Sequence, residues 1–170
     1  MRFGGSITSK VFIICCIMVG IFATVFGAIR IFAPSTPSLE FGEDGESIVV
    51  EVDGLGLIPG DSRSYEFDLI CSEPGAYAVG MKVVEKKDGG LKEFINVEVK
   101  IGSSVLYTGN LDDMMGKSIM VTDSYRFGAQ TEKMTITYTM PLDTGNEAMN
   151  TSADFNMEII ILEEGGKLDG

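Results

Sequence analysis

From residue 48 onward the chain keeps returning to a two-residue period, apolar then polar, which places every second side chain on one face of a strand. Residues 133–140, KMTITYTM, carry it most cleanly. Met134, Ile136, Tyr138 and Met140 share one face, and Lys133, Thr135, Thr137 and Thr139 the other. Residues 154–161 repeat the pattern with Phe155, Met157, Ile159 and Ile161 inward. Residues 64–71, 77–84 and 94–101 read the same way, and 48–52 and 105–107 are shorter candidates. Turn residues fall between these runs at Pro59-Gly60-Asp61, Glu73-Pro74-Gly75, Asp88-Gly89-Gly90 and Gly109-Asn110. Half-polar alternation favours antiparallel sheets with one solvated face, so the fold predicted is an all-β, antiparallel β-sandwich. Only residues 111–120 read as a brief helix.

A different pattern precedes the strands. Residues 11–29, VFIICCIMVGIFATVFGAI, are free of charge. As a helix, about 19 residues span about 28 Å, enough to cross a bilayer. Arg2 and Lys10 lie before this segment, and every Asp and Glu lies after Ala33. The positive-inside rule then puts the N-terminus in the cytoplasm and the rest of the chain outside. Val25-Phe26-Gly27 before Ala28 offers a small-residue cleavage site, so a cleaved signal and a retained anchor both remain open. Residues 33–47, rich in Pro, Ser and Gly, read as a linker or extended arm. The organisation predicted is therefore 1–32 signal or anchor, 33–47 arm, 48–163 β-sandwich and 164–170 flexible tail.

Charge narrows the partners. The first 30 residues are +3 and, out of a net charge of −12, the remainder is −15. A domain so acidic repels phosphate backbones, and nucleic acid is not an expected partner. Membrane contact is expected through residues 11–29 where they are retained. Of three cysteines, Cys15 and Cys16 lie in the apolar segment, leaving Cys71 alone in the exported part and no disulfide within it. Cys71 is in phase with Tyr65, Phe67 and Leu69, as a core residue is.

Chemistry is limited by what is missing. The chain contains no His, which excludes Ser-His-Asp and Cys-His arrangements and His-dependent zinc motifs. No GxSxG, Walker or GxGxxG pattern is present. Acidic pairs such as Glu43-Asp44 and Asp112-Asp113 lack the spacing of a calcium loop and read as solvated turns. No catalytic residue, metal ligand or cofactor is expected, weak Ca²⁺ binding being the one role those pairs leave open. Asn150-Thr151-Ser152 matches an N-glycosylation sequon.

One stretch looks familiar. Tyr138, Met140, Pro141, Gly145, Asn146 and Glu147, with Phe155 in the terminal strand, form a Y-x-M-P-x-x-x-G-N-E pattern that resembles the end of TasA/camelysin-family domains. Residues 58–62, IPGDS, resemble that family's early proline-glycine-aspartate turn, and the apolar leader occupies the matching place. The resemblance implies a jelly-roll sandwich in an exported bacterial or archaeal protein. It also implies matrix fibres in which an N-terminal strand of one subunit completes the sheet of the next. Camelysins are also described as metalloproteases, a role that the absence of His argues against here.

Two functions follow. The first is a surface or matrix protein that associates with itself or with other matrix proteins by strand addition. Residues 38–52 are its candidate donor, with Ile48, Val49, Val50, Glu51 and Val52 at its centre; pairing of those five within their own domain is the competing expectation. The second is a membrane-anchored module that binds a glycan, a wall polymer or a protein without polymerising.

Overall fold

The computed structural model describes residues 36–42 and 46–168, which belong to a compact unit, Thr36–Gly170. Residues 11–29, read as signal or anchor, lie outside the described residues. No described helix is long and apolar enough to cross a membrane.

Nine strands are described: β1 (Ser38–Phe41), β2 (Glu46–Leu55), β3 (Ser62–Cys71), β4 (Gly75–Gly89), β5 (Asn96–Ile101), β6 (Ser104–Asn110), β7 (Ser118–Phe127), β8 (Glu132–Thr139) and β9 (Ser152–Glu163). They form one sheet in the order β1-β3-β8-β5-β6 and another in the order β2-β9-β4-β7. All pairings are antiparallel except β1 with β3. The alternating residues do what their period requires. Met134, Ile136 and Tyr138 of β8 and Phe155, Met157, Ile159 and Ile161 of β9 are all buried between the sheets. Tyr138 meets Phe155 edge-on at 5.6 Å between ring centroids and donates its hydroxyl to Met157 Sδ at 3.3 Å. Cys71 is buried, its thiol directed to the Glu73 carbonyl at 3.1 Å.

Four local expectations need correction. Residues 38–41, assigned to the arm, form β1, which buries Leu39 and Phe41. Residues 111–120 are helical only over α1 (Leu111–Met114), capped by Asn110, whose side-chain oxygen accepts from the Asp112 amide at 2.8 Å. From Ser118 they enter β7, a strand the alternation did not reveal. Gly109-Asn110 ends β6 and leads into α1, which Asn110 caps, rather than joining two strands; the β5–β6 hairpin itself turns at Gly102, where φ is +56°. The tail is not free: residues 164–168 turn back on a Gly166 amide bond to the Glu163 carbonyl, and Leu168 lies over Gly80 of β4. Any side chain at Gly80 would collide with Leu168.

Tyr125 of β7 gives the domain an alkaline limit. Burial, then a 2.6 Å hydrogen bond to Glu132, push its phenol up to about 12 from an ordinary 10.0. A raised acid contributes stability that is whole below the unfolded value and lost as pH climbs through the folded one. Urea unfolding should therefore show stability falling between about pH 10 and 12. Tyr125→Phe should make that fall less steep, the raised phenols of Tyr107 and Tyr138 still contributing, and an unchanged slope would remove Tyr125 as a source.

Candidate functional site

The residues singled out in the sequence converge at one end of the sandwich. Pro59 and Gly60 are the central residues of a turn closed by the Asp61 amide on the Ile58 carbonyl at 2.9 Å, with Gly60 at φ +91°. Proline second and a left-handed glycine third is the requirement of a type II turn. The same turn clasps the other motif. Gly60 N–H donates to the Met140 carbonyl and the Met140 N–H donates to the Asp61 carbonyl, both at 3.0 Å. Pro141 follows where no further amide is available, and the Thr144 amide closes a turn on the Pro141 carbonyl at 3.2 Å.

Gly145, Asn146 and Glu147 then lead into the last strand. A 3-10 turn spans Asn146–Ala148, with Ala148 buried and the Glu147 carboxylate folded over Gly145. Asn150 is exposed at φ +63°, and Thr151 donates its hydroxyl to the Ala148 carbonyl at 2.6 Å. The family-like residues are thus a structural joint between the β2–β3 and β8–β9 connections. Tyr138, Met140 and Phe155 are core, Pro141 and Gly145 are half-buried, and Asn146 and Glu147 are exposed. Ile58 and Leu142 stand exposed beside them.

Ile48, Val49, Val50, Glu51 and Val52 lie in β2, paired in register with residues 155–159 of β9 in the same chain. Sequence reasoning passed over the strand before them. Phe41 of β1 reaches across to the other sheet, with its ring edge-on to Tyr77 at 5.2 Å and to Phe127 at 4.9 Å. Its carbonyl accepts from the Ser72 amide and hydroxyl at 2.9 and 2.8 Å. The signal was Leu39 and Phe41 alternating with Ser38 and Glu40, only four residues inside linker-like composition.

Lysines are held in carboxylate forks. Lys86 meets Asp53 at 2.9 Å and Glu51 at 3.4 Å, and Lys133 meets Glu66 at 3.1 Å and Asp68 at 3.5 Å. Lys92 meets Glu85 at 2.9 Å and Asp88 at 3.3 Å, with Asp112 at 3.9 Å. The Glu85 hydrogen bond leads in raising the Lys92 ammonium above its ordinary value, while the Gly90 amide and then Lys92 lower the Asp88 carboxyl. Among the described residues no group of three or more Cys, Asp or Glu is arranged to hold a metal ion. A shallow hollow of about 480 Å³ lies on the outer face of the first sheet, lined by Asn96, Glu98, Thr108, Thr137 and Thr139 among others.

No family model and no curated protein matches the chain. Solved structures do match, distantly. A beta-glucosidase from Paenibacillus barengoltzii aligns at TM-score 0.42 and 9% identity over 75% of this chain and 12% of that one. The insecticidal delta-endotoxin Cry8Ea1 from Bacillus thuringiensis aligns at 0.40 and 12%, over 65% and 19%. A mutant of PliG-Ec, a periplasmic inhibitor of g-type lysozyme from Escherichia coli, aligns at 0.32 and 14%, over 73% and 95%. The chain spans far less than two thirds of the first two, none of the three is a TasA or camelysin protein, and likenesses this loose carry no functional argument.

The joint itself can be tested. Gly60→Ala forces a side chain into a left-handed position 3.2 Å from Leu142 and should cost about 1 kcal/mol or more in denaturant unfolding. Gly56→Ala, whose added methyl would make only an ordinary 3.9 Å contact with the Gly54 carbonyl, should stay within about 0.5 kcal/mol. Equal effects would mean that the turn does not constrain the end of the sandwich.

Proposed function

We propose that this chain is an exported cell-surface or matrix structural protein of the TasA/camelysin type that assembles by exchange of its N-terminal strand. The order of the strands supports the jelly-roll form of the fold. The orders β2-β9-β4-β7 and β3-β8-β5-β6 fit the two four-stranded halves of an eight-stranded jelly roll, with β1 an addition to that complement. The observation that carries the reading is β1 itself. It is four residues long, parallel to β3, and inserts Leu39 and Phe41 between the sheets at the N-terminal end of the described chain. The β1 of a second copy would satisfy the same β3 edge and the same aromatic slot. β2 is the less mobile part of the donor region, since it is tied to β9 through eight register pairs against four for β1.

Removing the residues through Phe41 should abolish fibres seen by electron microscopy. Truncated copies, which accept a strand and donate none, should shorten the fibres of intact chains when mixed with them. Fibres of undiminished length in both experiments would overturn strand exchange.

The hollow lined by Asn96, Glu98, Thr108, Thr137 and Thr139 favours a second reading, an anchored module that binds a glycan or wall polymer through this polar face. No enzymatic role belongs to either reading. Intact-mass analysis separates them: the matrix reading expects a species beginning near Ala28 in the medium, and a full-length mass confined to the membrane favours the anchored module.

A further inference from the structure

Among the described residues four strands border the two sheets, and they differ in how well they are defended against pairing with another chain. An edge strand offers unpaired amides and carbonyls to any extended partner, and short length, bulges and charge are the usual protections. β1 is four residues long. β6 is broken by a register shift opposite Val99 and Lys100, and β7 by two shifts opposite Tyr77, Val79 and Gly80. β2 has no such break over Glu46 to Val52, its one irregularity falling between Val52 and Leu55. Along this regular stretch Val49 is 57% exposed, and Ile48 and Val50, though turned toward the core, are only half-buried.

We infer that the free edge of β2 pairs with β2 of a second copy, antiparallel about a two-fold axis at Val49, joining two four-stranded sheets into one. The sequence of the strand selects its own kind. With Val49 opposite Val49, Ile48 falls opposite Val50, Ser47 opposite Glu51 and Glu46 opposite Val52. No carboxylate then directly opposes a carboxylate, although the chain is −12 overall and copies repel elsewhere. Glu51 is in addition held by Lys86 of its own copy at 3.4 Å. The pairing would cover the half-open flank at Ile48 and Val50 that β2 leaves at the border of its sheet. It uses a different edge from strand exchange and does not rest on it.

Cysteine cross-linking in the full-length chain, with Cys15 and Cys16 replaced by alanine and buried Cys71 retained, tests the edge and its register. Val49→Cys should form a disulfide dimer under mild oxidation. Val84→Cys, 47% exposed on the same outer face but on an interior strand, should not. Ser47→Cys and Glu51→Cys should each form no disulfide alone and give a disulfide-linked heterodimer when mixed. Val49→Lys should weaken the dimer about tenfold or more in sedimentation without lowering the unfolding midpoint at dilutions where both proteins are monomeric. Absence of the Val49→Cys dimer, equal cross-linking at Val84→Cys, no heterodimer from the mixed pair, or a dimer indifferent to Val49→Lys would each overturn the proposal. Fibres lost on removing β1, with these cross-links intact, would separate the two modes of association.

Discussion

The contact on which the rest of the domain depends is the meeting of β8 and β9 across the sandwich. Each is an interior strand of its sheet, and their inward faces bring Tyr138 against Phe155 and Met157. A buried phenol without a partner is costly, and here its hydroxyl reaches only a thioether, a weak acceptor. That geometry holds because Tyr65 of β3 and Phe155 clamp the ring edge-on from two sides. Burial pushes the Tyr138 phenol well above its ordinary value, which marks how completely water is excluded at the centre. The Pro59-Gly60-Asp61 turn and the Pro141 loop hold the adjacent end of the same strand. The family-like residues are therefore positioned by the core rather than displayed for chemistry.

This explains which parts of the fold were legible in the sequence. β3, β5, β8 and β9 each bury one face and wet the other, so their period of two survives in the residues. β7 does not read that way, because Ile119, Met120 and Val121 are consecutive and apolar on both faces. One patch of its sheet is covered on the outside as well. Ala78 and Gly80 are buried outward-facing residues of β4, and the returning Leu168 lies over Gly80. A tail that folds back cannot be deduced from Gly-rich, polar composition, which describes a free end equally well. β1 was hidden for the opposite reason: two apolar residues in a Pro- and Ser-rich segment carry too little periodicity to count as a strand until a slot for Phe41 is known.

The candidate site shows the same division. Chain position alone could nominate residues before the first long strand as a donor, and it singled out Ile48 to Val52 because their alternation is conspicuous. That alternation reflects membership of the chain's own sheet. In the fold, the conspicuous strand is paired along its length with β9, and the short strand before it pairs with β3 over only four residues. The two elements offer different modes of association. Under the two proposals, exchange of β1 would make a heterologous contact that propagates, whereas pairing at the β2 edge would make an isologous one that closes on a pair.

Electrostatics favours backbone pairing over side-chain complementarity as the mode by which such a chain would associate. Asp and Glu outnumber Lys and Arg by 25 to 13, and Lys86, Lys92 and Lys133 are each engaged by two or more carboxylates of their own domain, so acidic surface predominates wherever two copies meet. Exposed pairs of this kind contribute little to stability, but they remove cations from intermolecular use. Copies of like charge approach most easily where charge is sparse and main-chain donors and acceptors are free. Repulsion between the remaining carboxylates is screened beyond about 10 Å at 0.1 M salt, while the pairing of strand edges is short-ranged and neutral. Association of this domain should therefore strengthen with ionic strength, the reverse of what a charge-matched interface shows.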